Sequence, residues 1–159
     1  MLEPKRKETA DLAGETASEL QLGQLRDLIS FQLRRAQLSV FQRFMAELGS
    51  QGVTPGRFGL LTVISENPGS SQTALAEALS VDRSTMVAMI DKLEVLGWVE
   101  RARSELDRRS HAILLTEAGK KILQDSWQQI TALEDEVCDQ LSGAERKQLI
   151  RLLDRITKE

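Results

Sequence analysis

The sequence predicts a mainly α-helical fold with one small β-hairpin. Three observations predict it. Apolar residues recur every three or four positions over most of the 159 residues. The period switches to two only across residues 98–115. Two short helices joined by a tight turn stand immediately before that switch. That order is a helix-turn-helix followed by a wing, and the remaining helices at both ends are long enough to serve dimerisation.

Residues 1–19 are polar, without the apolar stretch of a signal peptide, and are expected to form a flexible lead-in. From Leu22 the apolar positions 25, 29, 33, 36, 40, 44, 45 and 48 keep helical spacing. No Gly or Pro interrupts Gln24 to Leu48, so one unbroken helix is expected there. A stripe this long is more than a small domain covers, which points to a second subunit. Gly49 to Val53 ends it. Thr54 and Pro55 then suit the N-cap and first position of the next helix, with Phe58, Leu60, Leu61, Val63 and Ile64 apolar. Asn67-Pro68-Gly69 breaks it.

Ser70 or Ser71 caps a short helix with Leu75, Ala78 and Leu79 apolar. Ser80-Val81 makes the turn. Asp82 caps the following helix, whose Met86, Met89, Ile90, Leu93 and Leu96 are expected inward, and Gly97 closes it. Trp98 to Arg103 and Ser110 to Leu115 read as paired strands around the polar tip Ser104 to Arg109. Thr116 caps a long helix with Ile122, Trp127, Ile130, Leu133, Val137 and Leu141 in register. Ser142 and Glu145 form a capping box before a last helix, apolar at Leu149, Ile150, Leu152, Leu153 and Ile156. The expected division is 20–53 with 117–159 for dimerisation, and 54–116 for binding DNA.

Composition restricts the partners. The single cysteine, Cys138, has no internal disulfide partner, which reads as a reduced, cytoplasmic chain. No apolar run approaches the roughly 18 residues of a membrane span, so no membrane partner is expected. The net charge of −3 argues at first against nucleic acid, whose binders are usually basic. Any DNA contact must come from a local patch, doubled by dimerisation.

The patch is legible at two places. The major groove of B-DNA admits one α-helix, whose first residues meet base edges. Here those residues are Asp82, Arg83, Ser84 and Thr85, polar on an otherwise apolar helix, with Val87, Ala88 and Asp91 extending the exposed face. Arg83 has the fork that matches guanine, and the two hydroxyls suit bases or phosphate. The helix before it starts with Ser71, Gln72 and Thr73, which suit phosphates. The wing carries Arg101, Arg103, Arg108 and Arg109, and arginine at a hairpin tip fits a narrow minor groove. Taken singly, Asp82 is a cap and the arginines a solvated edge. Their joint order and spacing carry the argument.

The run from Ser71 to Gly119 resembles the MarR family of regulators, most specifically in Leu93 with Gly97 to Arg101, in Asp107-Arg108-Arg109, and in Leu114 to Gly119. The resemblance spans nearly the whole chain. It implies a homodimer with interlocked terminal helices and two winged lobes on a pseudo-palindromic operator, with half-sites ~10 bp apart. It further implies that Asp107 pairs with Arg109, which enters the minor groove.

The resemblance also raises an effector. Phe31, Arg34, Arg35, Gln37, Phe41, Phe44 and Met45, with Phe58 and Trp127, are candidate lining residues. The aromatic residues also fit a plain core, and the arginines a solvated face. The stretch Leu33 to Phe44 resembles a subgroup that senses aromatic acids or their CoA thioesters, and paired arginines suit a carboxylate or CoA phosphates. Cys138 sits among Glu134, Asp135 and Glu136, which disfavours a reactive thiolate, although a cysteine-based redox regulator stays an alternative. With one histidine, His111, no metal site is expected, and no cofactor. No phosphate-binding glycine loop or catalytic triad order is present, so an enzyme is not expected. A winged helix that binds only protein is the other rival.

Overall fold

The computed structural model describes residues 21–103 and 111–157. Contacts divide the chain into two units after Gln37, inside the first long helix. In the first unit, a 3-10 turn covers Gly23–Asp27 and α1 begins at Ile29. The unbroken helix expected from Gln24 to Leu48 is therefore corrected. Gly23 takes a left-handed φ of 53°, Leu28 is extended, and the Gln32 amide donates to the Arg26 carbonyl across the break. Short-range hydrogen bonds end the helical path without any proline.

The second unit holds the core. The last turns of α1 (Ile29–Leu48) bring Phe44 and Leu48 inward. Gly52, at φ 77°, turns the chain into α2 (Pro55–Glu66), where the Thr54 hydroxyl accepts from the Arg57 backbone N–H. Leu60, Leu61 and Ile64 of α2 are fully buried. Then follow α3 (Gln72–Ala78), capped by Ser71, and α4 (Arg83–Val95), capped by Asp82. Between them Ser80 takes a left-handed φ of 51°, which makes the turn tight.

On α4, Met86, Ile90 and Leu93 are buried at helical spacing. Leu96, expected inward, is instead exposed, because the helix has ended at Val95. Gly97, at φ 70°, then redirects the chain into β1 (Val99–Arg103), which pairs antiparallel with β2 (His111–Leu115). Ser70 adds an isolated bridge to Ile113, so the start of the helix-turn-helix is bonded to the hairpin.

Thr116 caps α5 (Glu117–Val137) and also donates its hydroxyl to the Gly97 carbonyl at 2.6 Å. The buried stripe of α5 is Gly119, Leu123, Ser126, Ile130 and Leu133. The expected register holds at Ile130 and Leu133, but Leu123 and Ser126 are buried where Ile122 and Trp127 were expected: Ile122 is only partly buried and Trp127 is half exposed. A serine hid the true stripe. Ser126 is buried with its hydroxyl donating to the Ile122 carbonyl at 2.7 Å, so the polar group costs little there. Arg43 pairs with Glu136 at 3.0 Å and ties α1 to α5. After α5, the expected capping box closes between Ser142 and Glu145 and opens α6 (Gly143–Thr157). No residue of α6 is buried, and Leu149, Ile150, Leu152 and Ile156 remain open. Among the described residues no helix is long and apolar enough to cross a membrane.

Candidate functional site

The start of α4 is shaped by one carboxylate. Asp82 accepts from the Thr85 backbone N–H at 2.8 Å, from the Thr85 hydroxyl at 2.6 Å, and from the Ser84 hydroxyl. These bonds, led by the Ser84 hydroxyl and then that of Thr85, hold the Asp82 carboxyl well below the usual carboxylate range. Asp82, Arg83, Ser84 and Thr85 are all exposed, while Met86 behind them is fully buried. The helix thus presents a polar tip on an apolar back. Val87, Ala88 and Asp91 continue the open face.

At the start of α3, the Ser71 hydroxyl accepts from the Ala74 N–H at 3.2 Å, which satisfies one free end group. Ser71, Gln72 and Thr73 are partly buried. Gln72 is committed elsewhere: with its amide oriented so that oxygen meets donors, it accepts from Arg101 Nε and Nη2, each at 3.0 Å. Arg101 also donates to Asp91 and Glu94 of α4. The sequence had suggested Arg101 as part of an open wing. Register explains the difference. Arg101 lies opposite Ile113, which is fully buried, and shares the strand face of Val99, also buried. Its face of the hairpin therefore turns toward α3 and α4.

Arg103 ends β1, where its backbone pairs with His111. Asp107, Arg108 and Arg109 lie outside the described residues.

The candidate effector residues fall into two groups. In the first unit Phe31 is partly buried, and Arg34, Arg35 and Gln37 are exposed. In the second unit the structure brings three aromatic rings together. Phe44 lies 6.3 Å from Phe58, and Phe58 meets Trp127 edge-on at 4.9 Å. Phe44 is buried, Phe58 is partly so, and Trp127 is 46% exposed. Phe41 is exposed, and Met45 is partly buried. A separate open cleft of about 590 Å³ lies between α2, the hairpin and the start of α5, lined by Glu100, Leu114 and Lys120 among others. It contains none of the residues read as effector contacts.

Cys138 is partly buried at the end of α5, where its carbonyl accepts from Arg146 at 2.9 Å. Arg146 also pairs with Asp135 at 2.6 Å, and that pairing raises its own affinity for the proton. The described residues hold no cluster of His, Cys, Asp and Glu suited to a metal ion.

One feature of the site escaped the sequence reading: the inward set of Arg101. The alternation of Val99, Arg101 and Arg103 carried a signal for it, since Val99 had to be inside.

Comparison with known proteins agrees with this architecture. Residues 51–110 match the model of the MarR family. A putative transcriptional regulatory protein for the hcr operon of Thauera aromatica is 37% identical over 97% of this chain and 93% of its own length. Among solved structures, the transcriptional repressor CouR bound to a 23-mer DNA duplex is similar with a TM-score of 0.84 at 36% identity, covering 88% of this chain and 99% of that one. CouR bound to p-coumaroyl-CoA is similar at 0.81 and 34% identity, covering 89% and 99%. Helix-turn-helix, wing and end-to-end similarity agree: the chain belongs to the MarR family of transcriptional regulators.

Proposed function

We propose that this chain is a cytoplasmic, homodimeric repressor that leaves its operator when an aryl-CoA thioester binds. The observation that carries the DNA half is the polar tip of α4, open at Arg83, Ser84 and Thr85 over a buried apolar back. Arg83 reads a guanine edge in the major groove. Ser71 and Thr73 face phosphates, and Arg109, held by Asp107, enters the minor groove. Two lobes place two such tips on successive half-sites, while residues 54–116 bind DNA and 20–53 with 117–159 hold the dimer.

The aromatic series Phe44, Phe58 and Trp127 supports the effector half, because a half-open indole offers a face for an aryl ring. Taken by themselves in the first unit, the exposed Arg34 and Arg35 suit a carboxylate or CoA phosphates by charge. The similarity to CouR, solved both with DNA and with p-coumaroyl-CoA, supports the same two partners here. The thioester acts by population shift: it favours a dimer whose lobes no longer match the half-sites.

The test is fluorescence anisotropy on a duplex that the protein selects from a random library. p-Coumaroyl-CoA should release the protein, while free CoA and p-coumarate should release it far less. Trp127→Ala should weaken release without weakening DNA binding. A thioester without effect would refute the effector, and failure to select any duplex would refute the regulator.

A further inference from the structure

Helix α4 carries Asp91 and Glu94 three residues apart, so one face bears two carboxylates near the helix C-terminus. That end of a helix dipole already disfavours negative charge, and the same helix must approach a polyanion. The guanidinium of Arg101 lies against both acids, with Nη2 on Asp91 and Nη1 on Glu94. Its Nε and Nη2 also meet the Gln72 amide at 3.0 Å. The side chain is only 20% exposed, against 56% for Asp91 and 42% for Glu94. One planar group thus joins the first turn of α3, the back half of α4 and the root of the wing. Only the fork of arginine serves three partners in this way.

We propose that Arg101 is a positioning residue for DNA recognition: it neutralises the acidic face of α4 and sets the angle of α4 against α3 and β1, and it makes no phosphate contact. The proposal rests on the DNA-binding reading above. Four of the five N–H donors of Arg101 are spent on Gln72, Asp91 and Glu94, so a forked phosphate contact would have to break a bond already made. Without Arg101 two uncompensated carboxylates face incoming DNA, and the recognition helix loses its tie to the wing.

The experiment is a charge-neutralising cycle, read on a duplex selected by the wild-type protein. Arg101→Met should weaken binding about tenfold, the size expected for a residue in a bonded network. Its plot of log affinity against log salt should keep nearly the wild-type slope. Loss of one phosphate contact per subunit would instead lower the slope by about 1.8 in a dimer. Adding Asp91→Asn and Glu94→Gln to Arg101→Met should recover most of the lost affinity, and more than the same pair gains in the wild-type background. Arg101→Lys keeps the charge and loses the fork. It should fold, bind more weakly than wild type, and keep the slope. A slope reduced by about 1.8, or no recovery in the triple variant, overturns the proposal, as does wild-type affinity in Arg101→Lys. A wild-type protein that selects no duplex overturns the DNA-binding reading with it, so the two failures are distinguishable.

Discussion

A β-carbon placed on Gly119 would lie 1.9 Å from the carbonyl oxygen of Trp98. The first turn of α5 therefore presses directly on the backbone that leads into β1, and only glycine permits it. The Thr116 backbone N–H donates to the same Trp98 oxygen at 3.1 Å, which holds that carbonyl in place. The obstacle is backbone rather than a flexible side chain, so Gly119→Ala must move α5 or the hairpin. A loss of about 1–3 kcal/mol follows, the range for overpacking, or more if the cap at Thr116 opens. Thermal denaturation checks it, and an unchanged melting temperature would contradict the packing described.

Asp82 gives a pH prediction. Its carboxyl is held below the ordinary value of 3.8 by bonds that exist only in the folded chain. A depressed folded-state pKa stabilises above the unfolded value and is lost as pH falls through the folded one. Asp82→Ala should thus melt lower than wild type at pH 7. The gap should persist down to about pH 4 and narrow at lower pH. A gap that widens on acidification would reverse the sign and exclude the cap as its source.

Arg83 and Arg109 should separate by the kind of loss they cause. Arg83→Ala should cost about 1–3 kcal/mol of discrimination and relax base preference at one position per half-site. Arg109→Ala should weaken binding across sequences and flatten the salt dependence, with little change in melting. Library selection with each variant measures both. An Arg83→Ala protein that selects the wild-type consensus would remove Arg83 from base readout.

The apolar side of α6 should report dimerisation. Ile150 is 62% exposed in a single chain, and Leu149, Leu152 and Ile156 of the same helix are open too. A charge there leaves the folded subunit unstrained and penalises a buried interface. Ile150→Glu should shift the protein toward monomer in sedimentation equilibrium and reduce operator affinity steeply. A variant that stays fully dimeric would remove this side of α6 from the interface.

Local chemistry was readable without coordinates. The caps at Thr54, Ser71, Asp82, Thr116 and Ser142 each bond a backbone N–H three residues ahead, so residue type and spacing suffice to find them. The polar start of α4 was legible for the same reason, and the switch to period two located the hairpin. The aromatic series was legible only as candidates, because helical spacing does not say which rings meet.

Residue order alone therefore determined the helix-turn-helix, its caps and the family to which the chain belongs. Tertiary structure alone decided which way long side chains face. Arg101 turned inward because Val99 and Ile113 claim the same side of the hairpin, and its partners lie seven to twenty-nine positions away. The stripe of α5 runs through Leu123 and Ser126, with Ile122 only partly buried and Trp127 half exposed, and a serine hydroxyl bonded within its own helix can take a buried place. Capping is a short-range interaction between neighbours in sequence, whereas facing is settled by packing among segments far apart in it.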